Sequence, residues 1–188
     1  LHTRLDALRQ SHGFYGLTLL SDTGAPIHST RNAPPALSPE LATLIPLIQK
    51  EGVIRRIGPY RGLYGQVRLD YVIPMQGGDG APIAILHIDP KLSFFTLLQT
   101  WPGPSSSGET LLFRRDGNDV LYLNQLRHRA DSAADLRLPL ADPKLLAAQV
   151  LRGEIPPGVV VEGSDYRQHP VIGAVRQIAG SDWFLMVK

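Results

Sequence analysis

Residues 165–187 read Asp165-Tyr-Arg-Gln-His-Pro-Val-Ile-Gly-Ala-Val-Arg-Gln-Ile-Ala-Gly-Ser-Asp-Trp-Phe-Leu-Met-Val. Runs of β-branched, aliphatic and aromatic residues bounded by Pro, Gly and Asp fit a pleated surface. The stretch therefore predicts strands over 170–178 and 183–187, joined by the turn Ala179-Gly-Ser-Asp. Working outward, 159–162 predicts another strand, and Asp142-Pro-Lys is an N-terminal signature for a helix over 145–151. Before a looser segment, 109–114 and 119–124 predict a strand pair across the turn Arg115-Asp-Gly-Asn. The order is strand, strand, helix, then three strands.

The first half repeats that order. Strands are predicted over 14–20 and 26–30, and Gly24 in the intervening Ser21-Asp-Thr-Gly turn can take a positive φ without a Cβ clash. Ser38 can cap a helix that starts at Pro39, where a missing N–H costs nothing. That helix carries Leu41, Leu44, Ile45 and Ile48 and ends near Gly52. Strands over 53–57, 66–74 and 82–89 follow, the last two joined by the glycine-rich turn Gln76-Gly-Gly-Asp-Gly. Leu1, Leu5 and Leu8 predict a helix over 1–12, and another is expected over 91–101. Pro102-Gly-Pro-Ser-Ser-Ser-Gly reads as a linker. The chain thus divides into 1–103 and 104–188, each an α+β unit with an antiparallel sheet covered on one face. Strand order is not legible in the pattern.

The 188 residues, 43% apolar and 19% charged, can bury a core without staples, which excludes a disordered chain. The apolar runs fall far short of the ~20 residues that cross a bilayer. Nineteen basic and seventeen acidic side chains leave a net charge of +2. The Arg pairs at 55/56, 114/115 and 127/129 are interleaved with Asp and Glu, whereas nucleic-acid binding needs a concentrated basic face. No nucleic-acid partner is expected. With no cysteine, thiolate metal sites, disulfides and cysteine nucleophiles are excluded. His87-Ile-Asp puts two potential metal ligands on one strand face, fewer than a metal site needs, so no metal or cofactor is expected. The serine-elbow, phosphate-loop and zinc-helix motifs are all absent, and no enzymatic activity is expected.

One cluster carries possible chemistry. In 66–74, Val67, Leu69, Tyr71 and Ile73 share one face, and Gln66, Arg68 and Asp70 share the other. Such a polar face is either wetted by solvent or roofed by loops into a cavity. In the second case Tyr60, Tyr64, Arg68, Asp70 and His87 converge as charged partners and aromatic walls of a small-ligand pocket. Strand 170–178 offers small or apolar side chains on both faces and predicts filled core.

The 165–187 stretch resembles the closing hairpin of double Cache domains, the tandem PAS-like extracytoplasmic sensor regions of bacterial membrane receptors. Tyr71-Val-Ile-Pro-Met followed by Pro82-Ile-Ala-Ile-Leu-His-Ile-Asp resembles the last two strands of the distal module. The resemblance implies an N-terminal helix and a five-stranded sheet of order 2-1-5-4-3 in each module. Residues 1–103 would be membrane-distal and 104–188 membrane-proximal. It further implies a periplasmic domain that senses a small molecule for a histidine kinase or diguanylate cyclase, transmembrane helices on both flanks, and a homodimeric receptor. The ligand would sit in the distal module. Amino-acid-binding members carry a tyrosine–arginine–tryptophan helix motif that this chain lacks, and an Asp where it has His87. A small anionic ligand is left for Arg68 and His87 to pair with. The alternative is a non-enzymatic interaction or dimerisation module that responds to a partner protein.

Overall fold

The computed structural model describes residues 2–77, 80–100 and 105–188. The expected linker at 102–108 and the turn at 76–80 lie partly outside the described residues. The chain divides into two compact units, Leu1–Pro90 and Lys91–Lys188.

The first unit opens with α1 (His2–His12). Its antiparallel sheet contains β1 (Gly16–Leu20), β2 (Pro26–Ser29), β3 (Arg55–Arg61), β4 (Val67–Pro74) and β5 (Ile83–Ile88), in the order β2-β1-β5-β4-β3. Helix α2 (Pro39–Glu51) forms between its caps. Ser38 Oγ accepts the Leu41 N–H at 3.2 Å, and Gly52, at φ 65°, donates its N–H to Ile48 O. The helix buries Leu41, Ile45 and Ile48 on Leu20, Ile57, Val72, Ile83 and Ile85. Each such side chain contributes about 1.5–3 kcal/mol when fully buried, which seats the helix on the sheet. Past the helix the same sheet face turns polar, through Thr18, Arg68, Asp70 and His87, with Asp70 directly opposite His87.

Strand β3 runs beyond its expected end at 57. Ile57 opposes Asp70 and Tyr60 opposes Arg68, so three steps on β3 match two on β4. This bulge returns Tyr60 to the face of Ile57. Gly58 makes it possible: its φ is 99°, and a Cβ there would lie 2.8 Å from Arg68 O.

The second unit contains α3 (Phe95–Gln99), β6 (Thr110–Asp116), β7 (Asp119–Tyr122), β8 (Arg137–Pro139), α4 (Leu146–Leu151), β9 (Val160–Ser164), β10 (Pro170–Gln177) and β11 (Phe184–Val187). Its sheet has six strands, β8-β7-β6-β11-β10-β9, which corrects the expected five. The additional strand, β8, sets Leu138 opposite Val120. Three residues ending in proline are too short to show alternation. The helix expected over 91–101 shrinks to α3 after a single 3-10 turn at Pro90–Leu92. The Phe94 ring lies 6.0 Å from that of Trp183, which draws this segment into the second unit. Helix α4 follows the Asp142 signature, Asp142 Oδ1 accepting the N–H of Lys144 at 2.9 Å. The helix packs Leu146 and Val150 into a core with Phe113, Tyr122, Val175 and Met186. Strand β10 is not core on both faces: Val175 is buried, but Ile172 is 61% exposed.

Candidate functional site

All five strands of the first sheet contribute one side chain to a hydrogen-bonded row at its polar end. Ser29 Oγ donates to Thr18 Oγ1 (3.3 Å), and Thr18 Oγ1 lies 2.9 Å from His87 Nε2. His87 Nδ1 lies 2.8 Å from Asp70 Oδ1, and Tyr60 OH donates to Asp70 Oδ2 at 2.5 Å. A carboxylate can only accept, so Nδ1 donates to Asp70, and in the neutral imidazole Nε2 accepts from Thr18. Asp70 is fully buried and His87 nearly so. Burial, with the Asp70 charge beside it, pushes the Tyr60 phenol above its ordinary range and keeps the hydroxyl a donor.

Arg68 is held differently. It is 6% exposed, with its guanidinium carbon 3.8 Å from the centre of the Tyr15 ring and Nη1 3.7 Å from Asp89 Oδ2. Nε and Nη1 are buried and donate to nothing. Buried charged groups are ordinarily both paired and hydrogen-bonded, because stripping them of water is costly. Arg68 is paired only at a distance.

A cavity of about 20 Å³ adjoins these groups, lined by residues 34–36, Ser38, Tyr60, residues 62–64, Gln66 and Arg68. That is room for about one water. Of the five residues singled out in the sequence, Tyr60, Tyr64 and Arg68 line it. Tyr64 is 79% exposed and forms a rim rather than a wall. Asp70 and His87 are not in the lining and reach it only through the Tyr60 hydroxyl. The sequence reading missed Tyr15 and Thr18, which nothing local marked, and set Asp89 beside His87 only as a potential metal ligand, not as a partner of Arg68.

The second unit holds a larger hollow that the sequence reading also missed. It is an open groove of about 740 Å³ lined in part by Glu109, Gln125, Arg127, His128 and Arg129. Two of its strong polar groups are occupied. Arg127 Nη1 donates to the Ser105 and Gly108 carbonyls, and Glu109 belongs to a buried cluster. There Lys188 Nζ lies 3.1 Å from Glu109 Oε2 and 2.7 Å from Asp165 Oδ2, while Tyr166 OH donates to Glu109 Oε2 at 3.0 Å. Burial alone would raise the Asp165 carboxyl. Hydrogen bonds from Lys188 and Arg167 outweigh it and hold the group at about 2. Size and chemistry thus point to different units. Arg68, with two buried donor atoms unpartnered in a cavity wall, is the better guide to a missing ligand; Arg114 Nε and Tyr122 OH in the second unit are also buried without a partner but lie outside the groove lining.

The fold defines a class. Two tandem antiparallel α+β units of this kind make up the Cache-type extracellular sensor domains of histidine kinases and chemoreceptors, and this chain shares their fold. It is similar over 99% of its length to the sensor domain of the V. cholerae histidine kinase DctB, covering 76% of that chain (TM-score 0.60, 15% identity). Over 94% of its length it is similar to the ligand-binding domain of the Pseudomonas aeruginosa amino acid chemoreceptor PctB in complex with L-Arg, covering 71% of that chain (TM-score 0.59, 15% identity). An extracellular ligand binding receptor from Desulfohalobium retbaense matches 99% of the chain, which spans only 32% of that receptor (TM-score 0.59, 14% identity). No family model and no curated protein matches.

Proposed function

We propose that the chain is the periplasmic small-molecule-sensing domain of a bacterial transmembrane receptor of the histidine kinase or diguanylate cyclase type, its ligand held by the first unit. The observation that carries the reading is Arg68, a buried guanidinium with two unpartnered nitrogens in the wall of a cavity. Folds keep such costly arrangements at sites that another molecule completes. In this reading Arg68 pairs with the ligand, Tyr60 and Tyr64 wall and rim the cavity, and Asp70 with His87 hold Tyr60 in place. The domain itself is non-catalytic. The first unit forms the membrane-distal module and the second the proximal one, flanked by transmembrane helices in a homodimeric receptor.

A ligand shifts a receptor only by binding one conformation better than another. The cavity must enlarge to admit one, so the free and bound forms differ at the 34–36 and 62–64 segments that roof it. A thermal-shift screen against small metabolites tests the reading. A ligand at 100 times its Kd adds about 2.7 kcal/mol of stability, and Arg68→Gln should abolish that gain. A flat screen overturns the proposal, as does a hit whose gain survives Arg68→Gln.

A further inference from the structure

We infer that the ligand is a small carboxylate monoanion without an ammonium group. The inference rests on the ligand-binding reading above and adds a substrate class to it. Among the described residues lining the cavity, Arg68 carries the single formal charge. There is no Asp or Glu in the lining, so an ammonium group entering the cavity would meet no counter-charge there.

The nearby carboxylates are already committed. Asp70 accepts from His87 at Oδ1 and from Tyr60 at Oδ2, and it lies outside the lining. Asp89 faces Arg68 itself. A zwitterion would therefore bury its ammonium unpaired, a cost that a plain carboxylate avoids. Charge count limits the anion as well. The single guanidinium charge is partly offset by Asp89 at 3.7 Å, which leaves too little for a dianion such as phosphate. The rest of the lining includes two prolines, Ala36, Leu63 and two tyrosine rings, which suits a short apolar tail. Leu63 and Tyr64 are both exposed on the roof and available to cover that tail.

Isothermal titration of the whole chain with propionate, pyruvate, alanine and inorganic phosphate tests the class, because alanine differs from propionate only by the ammonium. Propionate or pyruvate should bind at least tenfold more tightly than alanine or phosphate. Arg68→Gln should weaken that binding at least tenfold, and Arg68→Lys should restore part of it. Alanine or phosphate binding as tightly as the carboxylates, in an Arg68-dependent way, overturns the class and leaves the sensing site standing. So does an Arg68-dependent neutral metabolite when neither carboxylate binds. Carboxylate binding that is unchanged in Arg68→Gln overturns both the class and the site. Failure of both carboxylates to bind overturns the class.

Discussion

A residue kept for a ligand rather than for the fold should be dispensable to the fold, and Arg68→Met measures this. Methionine retains the aliphatic stem of arginine and removes the charge. The wild type leaves two buried donor atoms unpartnered, each costing about 1–3 kcal/mol. Against that, the substitution forfeits the guanidinium over Tyr15, worth up to about 2 kcal/mol. It also forfeits the pair with part-exposed Asp89, about 1 kcal/mol or less. A thioether against the same ring returns about 0.3–1.5 kcal/mol. At mid-range values the balance is a gain of about 2 kcal/mol, or a rise of roughly 8–16 °C in the melting temperature of a unit this small. Scanning calorimetry of both proteins without ligand gives the shift. Slowed hydrogen exchange at β4 and β5 amides assigns it to the first unit. The same variant should bind no carboxylate. A melting temperature that falls by several degrees, with faster exchange in β4, would show that Arg68 is a structural member and refute the reasoning.

Three further outcomes follow from the geometry. Tyr60→Phe strips Asp70 Oδ2 of its donor and should destabilise the first unit by about 2 kcal/mol in urea unfolding; an unchanged midpoint would show that the row does not depend on this hydroxyl. Gly163→Ala would place a Cβ 2.7 Å from Leu146 Cγ in the second core, an overpacking cost of about 1–3 kcal/mol that a thermal melt should register. Asp165, held at about 2 against an ordinary 3.8, stabilises the second unit while it is ionised. Its share, on the order of 1–2 kcal/mol, should be complete above about pH 4 and disappear as the pH falls toward 2. Asp165→Asn should flatten that part of the stability–pH curve, and an unaltered slope would assign it to other carboxyls.

Where a structural feature is local, the residues announce it. Ser38, Pro39 and Gly52 bracket α2 by cap chemistry alone, and Asp142 marks the start of α4. The strand order of the first sheet entered through the resemblance, because alternation carries no information about which strands pair. Tyr60 shows a sharper limit. Strict alternation along β3 would send it to the face opposite Ile57, and only the bulge at Gly58 returns it to the site. The polar face of β4 is ambiguous for another reason. Arg68 and Asp70 alternate with apolar residues just as a wetted strand would, and what buries them is chain distant in sequence folding over that face. The Lys188–Glu109–Asp165 cluster joins groups from separate parts of the second half, with no pattern that a single strand or helix could show.

The row from Ser29 to Tyr60 takes the strands in their spatial order, β2, β1, β5, β4, β3, so it is a side-chain seam sewn at right angles to the backbone ladders. A seam of hydrogen bonds has a sense of direction, and here one carboxylate sets it. Because Asp70 accepts from both sides, His87 turns a proton toward it, and with a neutral imidazole Thr18 and Ser29 each turn theirs the same way. The orientation of a hydroxyl on the outermost strand is thus dictated from three strands away. The sheet possesses a polarity across its width as well as along its strands, and the Tyr60 phenol, bordering the cavity, is where that polarity meets the site.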